Sequence, residues 1–309
     1  MLNTRRRFLQ SAVLTAGVTG ARAAVEQAAA EGTPASAVQV PKMKFFHAEI
    51  SRLVLGVNPF YGFAHYNSNF ANSMREWYTP DRVCTVMHQC TQFGINAFNY
   101  VHLGRGPQDL ARFRAEGGRM HLIIQVTAGV DPEMLVKTLK PLALQRQGEV
   151  VDTAWQQGKM ETVKDWCKSA RDLGVLVGVG THIPEVIARI EEQNWDVDFY
   201  SGCVYNRRRT PEEQSKLLNG QSIEMPTELY LKGDPERMYR VMRQTSKPCF
   251  AFKILAAGRI PDRGIENAFR TAFESIKPTD GVYVGMFPKY KDEVRENAEI
   301  VHRILSRQA

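Results

Sequence analysis

The sequence predicts a closed parallel barrel of eight β/α units, the (β/α)8 or TIM barrel of the α/β class. Short apolar runs rich in β-branched and aromatic residues alternate with longer amphipathic segments through to the C-terminus, and eight such pairs can be counted. Of the 309 residues, roughly 265 remain for the folded body once a leader and a linker are set aside, which suits one barrel-sized domain. The predicted organisation is a leader at 1–23, a flexible linker at 24–45 and a single barrel domain at 46–309.

The leader has the features of an export signal. Residues 4–10, TRRRFLQ, resemble the twin-arginine motif, and residues 11–20 are too short an apolar stretch to span a bilayer. Ala21-Arg22-Ala23 has the small-x-small pattern of a cleavage site. We therefore expect the twin-arginine translocase to be a partner during export, a mature chain that begins near Ala24, and a periplasmic or otherwise exported location.

The strands are predicted where β-branched and aromatic residues concentrate. They are expected at residues 53–57, 97–101, 122–126, 142–151, 176–179, 199–204, 249–254 and 282–285, of which the fourth is poorly defined.

Helical periodicity follows the strands and is clearest at 80–93, 161–173, 184–193, 235–245, 264–276 and 291–305. Several of these segments open with proline or an acidic residue, as at Thr79-Pro80-Asp81, which suits the first turn of a helix. No Gly-x-Gly-x-x-Gly turn is present, so an open dinucleotide-binding sheet is disfavoured. The long polar segment 207–232 is expected to lie over the catalytic face as a lid.

Composition excludes several classes of function. The net charge of +7 falls to +3 without the four arginines of the leader, too little to favour nucleic-acid binding. The five cysteines are scattered without a Cys-x-x-Cys pair, so no metal site is expected, and Cys203 and Cys249 are predicted to be buried and reduced. No stretch of the mature chain approaches the length of a membrane span.

The order of short signatures along the barrel is similar to the aldo-keto reductase superfamily. Residues 93–99, FGINAFN, are similar to that family's second strand, and residues 250–255, FAFKIL, are similar to its seventh. The resemblance extends over most of residues 53–297. It implies a TIM barrel that acts as an NADP-dependent oxidoreductase on a small-molecule substrate.

The family's acid–base relay of Asp, Tyr, Lys and His is not retained. Asn99 stands at the aspartate position. The tyrosine position, a few residues on, falls at residues 101–104 and contains no tyrosine; His102 is the nearest proton donor. Gln125 occupies the lysine position, and Gln145 or Gln157 the histidine position. Proton transfer would have to be rebuilt around His102, with Lys253 and Asn99 nearby.

The resemblance also implies where NADP would bind. Phe252 matches the aromatic that stacks on the nicotinamide, and Asn297 matches an asparagine near the adenine end. Lys253 replaces a serine that meets the pyrophosphate, and Gly285 belongs to the eighth-strand signature.

Other cofactor positions have changed. Gly180-Thr181 replaces a Ser–Asn pair that holds the carboxamide, and Gly202 stands where a glutamine would help it. Two alternatives to the oxidoreductase therefore stay open. One is a cofactor-free lyase, isomerase or hydrolase on a carbohydrate or other polar small molecule, and the other is a non-catalytic binding barrel.

Chemistry in a barrel collects at the carboxyl ends of the strands. The catalytic candidates there are His102, Lys253, Asn99 and His182, and the substrate-binding candidates are Asn58, Tyr61, Tyr205, Asn206 and Arg207. Lys253 is singled out because an apolar run desolvates its amine and lowers its pKa, which suits a general base, a Schiff-base nucleophile or a phosphate anchor. The structural alternatives are a lysine that extends to solvent and histidines that only donate hydrogen bonds.

Overall fold

The computed structural model describes residues 37–221 and 228–307. An antiparallel hairpin, β1 (Lys42–Phe45) and β2 (Ala48–Ser51), comes first. Eight parallel strands then close into a barrel: β3 (Leu53–Gly56), β4 (Ala97–Val101), β5 (His121–Val126), β6 (Ala143–Arg146), β7 (Leu176–Thr181), β8 (Phe199–Cys203), β9 (Cys249–Phe252) and β10 (Gly281–Gly285). Strand β10 pairs with both β3 and β9, which closes the ring. The fold is a TIM barrel, as predicted.

Helices flank the strands on the outside. They are α1 (Ser68–Trp77), α2 (Pro80–Gln92), α3 (Gly106–Ala115), α4 (Pro132–Leu139), α5 (Gly148–Gln156), α6 (Met160–Arg171), α7 (Pro184–Glu192), α8 (Pro211–Leu217), α9 (Asp234–Gln244), α10 (Ile265–Ser275) and α11 (Glu293–Leu305). Short 3-10 turns occur at Asn58–Tyr61, Ala256–Gly258 and Asp262–Gly264.

The structure corrects two boundaries. The expected linker extends to residue 45, but β1 occupies its last four residues, because the alternation of lysines with Met43 and Phe45 buries one face of a strand. The fourth barrel strand ends at Arg146, and the remainder of 142–151 is mostly the start of α5. The expected leader lies outside the described residues.

The segment 207–232 contains a helix of its own. Thr210 and Glu213 form a capping box at the start of α8, with each side chain bonded to the other's backbone N–H. Residues 222–227 lie outside the described part of the chain.

The hairpin covers the amino-terminal end of the barrel. Phe45 is fully buried and packs edge-on against Phe199 and Phe250, both at 5.4 Å between ring centroids. Inward residues such as Val54 and Ile123 complete this apolar layer. Two residues beyond Ile123 and Phe199, the next inward positions carry the polar side chains of Gln125 and Ser201. The barrel interior is therefore apolar at its amino-terminal end and polar at its carboxyl end.

Candidate active site

A cavity of about 370 Å³ opens at the carboxyl end of β3, β9 and β10. Its lower wall carries inward side chains of the barrel strands, namely Asn99, Gln125, Gln145, Ser201 and Lys253 with its neighbour Phe252. Its upper wall comes from the loops that follow β3, β9 and β10, together with helix α1, and combines apolar side chains such as Phe63, Phe70 and Phe287 with the polar residues Asn58, His65, Asp262, Lys291 and Glu293. A cavity of this size suits a small molecule.

Three neighbouring strands supply an amide floor, which consists of Asn99, Gln125 and Gln145. These side chains face inward because each lies two residues beyond an inward apolar residue of its strand. Gln125 Nε2 donates a hydrogen bond to Asn99 Oδ1 at 2.6 Å, and the Tyr283 hydroxyl donates to Gln145 Oε1 at 3.5 Å. Three positions that the resemblance matches to the acid–base relay therefore meet in one cavity as neutral amides, which do not titrate at physiological pH.

Lys253 follows the last residue of β9 and is the cavity's most perturbed cation. Its backbone is left-handed, with φ of 60°, which turns the chain directly after the strand. Within the described chain its buried Nζ has no hydrogen-bond partner. Burial lowers the pKa of Lys253 to about 8, and the positive charge of Arg207 acts in the same direction. Near pH 8 a large share of this amine is uncharged and nucleophilic.

Two further buried donors in the same cavity lack partners among the described residues. They are Asn99 Nδ2 on β4 and Ser201 Oγ on β8. An unpaired buried donor costs about 1–3 kcal/mol, so three of them in one cavity suit a ligand rich in acceptor oxygens.

His182 lies beside the cavity in a buried pair with Asp152. Its Nδ1 lies 2.6 Å from Asp152 Oδ2, and its Nε2 lies 3.2 Å from the Arg207 guanidinium. Burial lowers the pKa of His182 although Asp152 opposes the shift. The geometry fits a neutral imidazole that donates to Asp152 and accepts from Arg207. His182 packs on Phe252 at 5.4 Å between ring centroids but does not line the cavity.

Arg207 anchors the segment that follows β8. Its guanidinium donates to Glu149 Oε1 on α5 at 2.6 Å and to Glu228, in addition to the contact with His182. Arg208 also pairs with Glu149, at 3.1 Å, and Arg209 pairs with Asp234. The three arginines thus hold the inserted segment against the barrel, and Arg207 is committed to protein carboxylates.

His65 brings a second titratable group into the cavity. Its Nδ1 lies 3.1 Å from Glu228 Oε1. Burial lowers the pKa of His65, and the charges of Lys253 and Arg207 add to the shift. Burial alone would raise the pKa of Glu228, but the hydrogen bond with His65, the charge of Lys253 and the hydrogen bond with Arg207 hold it well below its usual range. His65 is therefore a neutral imidazole next to a charged carboxylate.

The other predicted polar residues are dispersed. Asn58 lines the cavity. His102 does not; its Nδ1 lies 3.2 Å from the Tyr100 hydroxyl. Tyr61 donates to Asp109 at 3.2 Å, also outside the cavity.

The two residues after β8 support the inserted segment. Tyr205 packs against Tyr230 at 4.9 Å between ring centroids. Asn206 is buried, and its Oδ1 accepts from Arg208 N at 3.0 Å while its own N–H donates to Asp234. Neither lines the cavity.

The residues expected to bind NADP are only partly assembled. Phe252, Lys253 and Gly285 line the cavity. Asn297 is buried on α11 outside it, at 2% exposure. Gly202 faces helix α9, where a Cβ would lie 2.5 Å from Met238 Sδ.

The carboxamide positions are also occupied. The Thr181 hydroxyl is bonded to Asp152, and a Cβ on Gly180 would lie 2.6 Å from Gln145 Nε2. The residues present therefore do not fit the family's cofactor site as a whole.

Sequence reasoning expects His65 at the barrel mouth after the first strand but gives it no role, and it misses Ser201 and the buried pair of Asp152 with His182. Ser201 has a local signal, since it lies two residues from the inward Phe199 on β8. Glu228 has no local sequence signal, because only the fold brings it to Arg207 and His65.

No family model matches the chain, and no curated protein matches it. The solved structures that are similar to it include the phospho-2-dehydro-3-deoxyheptonate aldolase (DAHP synthase) from Thermotoga maritima, with a TM-score of 0.51 and 11% identity over 87% of this chain and 73% of that chain. A truncated 3-deoxy-D-arabino-heptulosonate 7-phosphate synthase from the same organism has a TM-score of 0.50 and 11% identity over 87% and 92%.

The glycerol dehydrogenase AKR11B4 from Gluconobacter oxydans, an aldo-keto reductase, is also similar, with a TM-score of 0.45 and 12% identity over 88% of this chain and 96% of that chain. At these identities the likeness is one of fold.

None of the helices among the described residues is long and apolar enough to cross a membrane. No group of three or more His, Cys, Asp or Glu side chains among residues 37–221 and 228–307 is placed to hold a metal ion.

Proposed function

We propose that this barrel is an enzyme that acts on a small carbonyl compound, with Lys253 as its reactive amine. One observation carries the proposal. The Lys253 Nζ lies in a cavity without a partner among the described residues, its pKa is lowered to about 8, and two unpartnered donors line the same cavity. A desolvated lysine next to another cation is a way in which proteins make an amine nucleophilic at neutral pH.

The chemistry follows from an uncharged amine. The Lys253 nitrogen attacks the substrate's carbonyl carbon, and the resulting carbinolamine loses water to give a protonated imine. That imine accepts the electron pair released when a neighbouring C–C or C–H bond breaks, which gives an enamine. Protonation of the enamine carbon restores the protonated imine, and its hydrolysis returns the amine and a carbonyl product. The proposed reaction class is therefore a lyase or an isomerase.

The remaining cavity groups have matching roles. Asn99 Nδ2 and Ser201 Oγ donate hydrogen bonds to the substrate's oxygens, since both are unpartnered among the described residues. We assign the role of general base to His65, because its lowered pKa leaves a neutral imidazole that can accept a proton.

Reductive trapping tests this proposal. The full chain is incubated with pyruvate and sodium cyanoborohydride at pH 8, and the adduct is located by peptide mass spectrometry. We expect one stoichiometric adduct on Lys253 that is absent in Lys253→Met and present in the control Lys289→Met, whose amine lies outside the cavity and bonds Ser73 Oγ at 2.9 Å. The proposal would be overturned if Lys253 forms no adduct with pyruvate, with glyoxylate or with acetaldehyde.

A second candidate is an NADP-dependent oxidoreductase. Phe252, Lys253 and Gly285 favour it, because these three of the residues that the resemblance assigns to cofactor binding line one cavity. The neutral amide floor and the positions of Asn297 and Gly202 speak against it.

Cofactor binding separates the two candidates. Fluorescence titration with NADPH is compared between the natural chain and Phe252→Ala. Saturable binding that the variant loses would support the oxidoreductase, and no binding at millimolar NADPH would remove it.

We also propose that the protein is exported through the twin-arginine pathway, on the strength of residues 4–10. Cell fractionation of the natural chain and of the double variant Arg5→Lys/Arg6→Lys tests this. The variant is expected to stay in the cytoplasm as an uncleaved precursor. Equal export of both chains would contradict the proposal.

A further inference from the structure

We infer that the substrate of this cavity carries an apolar group, best an aromatic ring, on the side away from its carbonyl. This inference rests on the proposed function in one respect, because the proposed function places the reacting carbon at Lys253. The apolar subsite itself does not depend on it. The inferred substrate is therefore an amphipathic carbonyl compound, whereas the sequence alone left open any polar small molecule, carbohydrates included.

The cavity has two chemically different ends. The barrel strands supply Asn99, Ser201 and Lys253 at one end, and the loops with helix α1 supply Phe63, Phe70 and Phe287 at the other. Among the described residues, the buried polar atoms that line the cavity without a partner all belong to the first group. A ligand that satisfies both ends has oxygen atoms at one end and hydrocarbon at the other.

The apolar end is a packed aromatic wall. Phe70 and Trp77 each pack edge-on against Phe287, both at 5.6 Å between ring centroids. Such edge-to-face contacts fix the rings in place. The pocket they border is therefore pre-formed, and it can receive a third ring in the same manner.

Phe63 marks the rim of this wall. It is one of the large apolar side chains that the described structure leaves exposed, at 40% of its surface, and it lines the cavity. An exposed aromatic at the mouth of an apolar cavity is typical of a ligand-binding surface. A bound apolar group would remove Phe63 from water.

The ionisable residues at this end have partners within the protein, and burial raises the pKa of Glu293 to about 7. Lys291 bonds Glu296 at 2.8 Å and Asp262 at 3.1 Å. Glu293 Oε2 accepts from the Phe287 backbone N–H at 2.6 Å, which fixes it beside the wall. Two carboxylates therefore balance the positive charge of Lys291, which makes this end of the cavity a poor site for a phosphate.

Binding of non-reactive acids tests the inference without imine chemistry. Isothermal titration compares 3-phenylpropionate with propionate on the full chain. We expect 3-phenylpropionate to bind about 30-fold more tightly, from burial of one ring. In Phe70→Ala we expect that advantage to fall several-fold, while Phe46→Ala, which alters an exposed aromatic of the hairpin at the other end of the barrel, leaves it unchanged.

Each outcome has a defined meaning. Equal affinity for the two acids, or tighter binding of ribose or glucose than of 3-phenylpropionate, would overturn the inference. If Phe70→Ala fails to fold, Phe63→Ala at the exposed rim serves instead and is expected to reduce the same advantage.

Trapping with pyruvate and phenylpyruvate separates this inference from the proposed function. Adducts of Lys253 with both acids at equal efficiency would sink the apolar subsite alone. No adduct with either acid, together with tight binding of 3-phenylpropionate, would sink the imine chemistry and leave the subsite standing.

Discussion

Lys253 is the residue at which sequence and structure agree most usefully. Its apolar neighbours in the sequence indicate a desolvated amine, and the structure buries Nζ with a pKa lowered to about 8. The neutral replacements Asn99 and Gln125 could likewise be read from the sequence, because strand alternation fixes which residues face inward. Glu228 could not, because long-range folding alone brings it to His65.

His102 shows how alternation decides a residue's surroundings. Inward Asn99 is three residues before it, so His102 shares the side of Tyr100, which is packed among the outward-facing core residues. The nearest proton donor in the sequence thus lies outside the cavity.

The buried amine predicts a pH-dependent effect on stability. The pKa of Lys253 falls from 10.5 in the unfolded chain to about 8 in the folded one, so between these values the unfolded state binds more protons and stability rises with pH. Below pH 8 the full penalty, of the order of 3 kcal/mol, remains. We expect Lys253→Met to unfold at higher urea than the natural chain at pH 7, and the gap to narrow by pH 10. Identical urea midpoints at pH 7 would contradict this.

At the scale of elements, two features support the site. The hairpin closes the amino-terminal end of the barrel, and the pair of Asp152 with His182 links α5 to the end of β7. The predicted linker includes β1 but not β2, because a strand of four residues carries little periodicity. The predicted fourth strand is too long because it includes Val150 and Val151. These residues are β-branched, which favours a strand, but they lie in helix α5. In both cases tertiary packing overrides the local signal.

Phe45 tests the role of the hairpin. Truncation to alanine leaves a cavity between Phe199 and Phe250, so Phe45→Ala is expected to lower the free energy of unfolding by about 3–5 kcal/mol. Its neighbour Phe46 is partly exposed, and Phe46→Ala is expected to cost less than about 1 kcal/mol. Urea denaturation of both variants checks the difference. Equal losses would mean that the hairpin does not seal the barrel.

Asp152 tests the link between α5 and β7. Its carboxylate accepts from the His182 ring, the His182 backbone and the Thr181 hydroxyl, so Asp152→Ala leaves buried donors unpaired and is expected to cost about 3–5 kcal/mol. Asp196 pairs with Arg171 in a largely exposed bridge, and Asp196→Ala is expected to cost under about 1 kcal/mol. Thermal unfolding that ranks the two variants in the opposite order would refute this view of the Asp152–His182 pair.

At the scale of the whole molecule, closure of the barrel accounts for why the fold was predictable and the site was not. Eight apolar runs of strand length fix the architecture, since each must bury an outward face under helices. The site instead depends on loops of different strands that converge on one mouth, and no local pattern encodes that convergence. The resemblance to aldo-keto reductases placed Asn99, Phe252 and Gly285 at one cavity, but it did not anticipate the apolar wall.

The state of the Lys253 amine can be measured directly by competitive labelling with acetic anhydride across pH 6–11, followed by quantitative peptide mass spectrometry. Lys253 is expected to reach half of its maximal reactivity near pH 8. Exposed Lys137, whose pKa is raised by its hydrogen bond with Glu133, serves as the internal reference and should titrate far later. If Lys253 titrates together with Lys137, the amine is an ordinary charged lysine and the proposed chemistry fails.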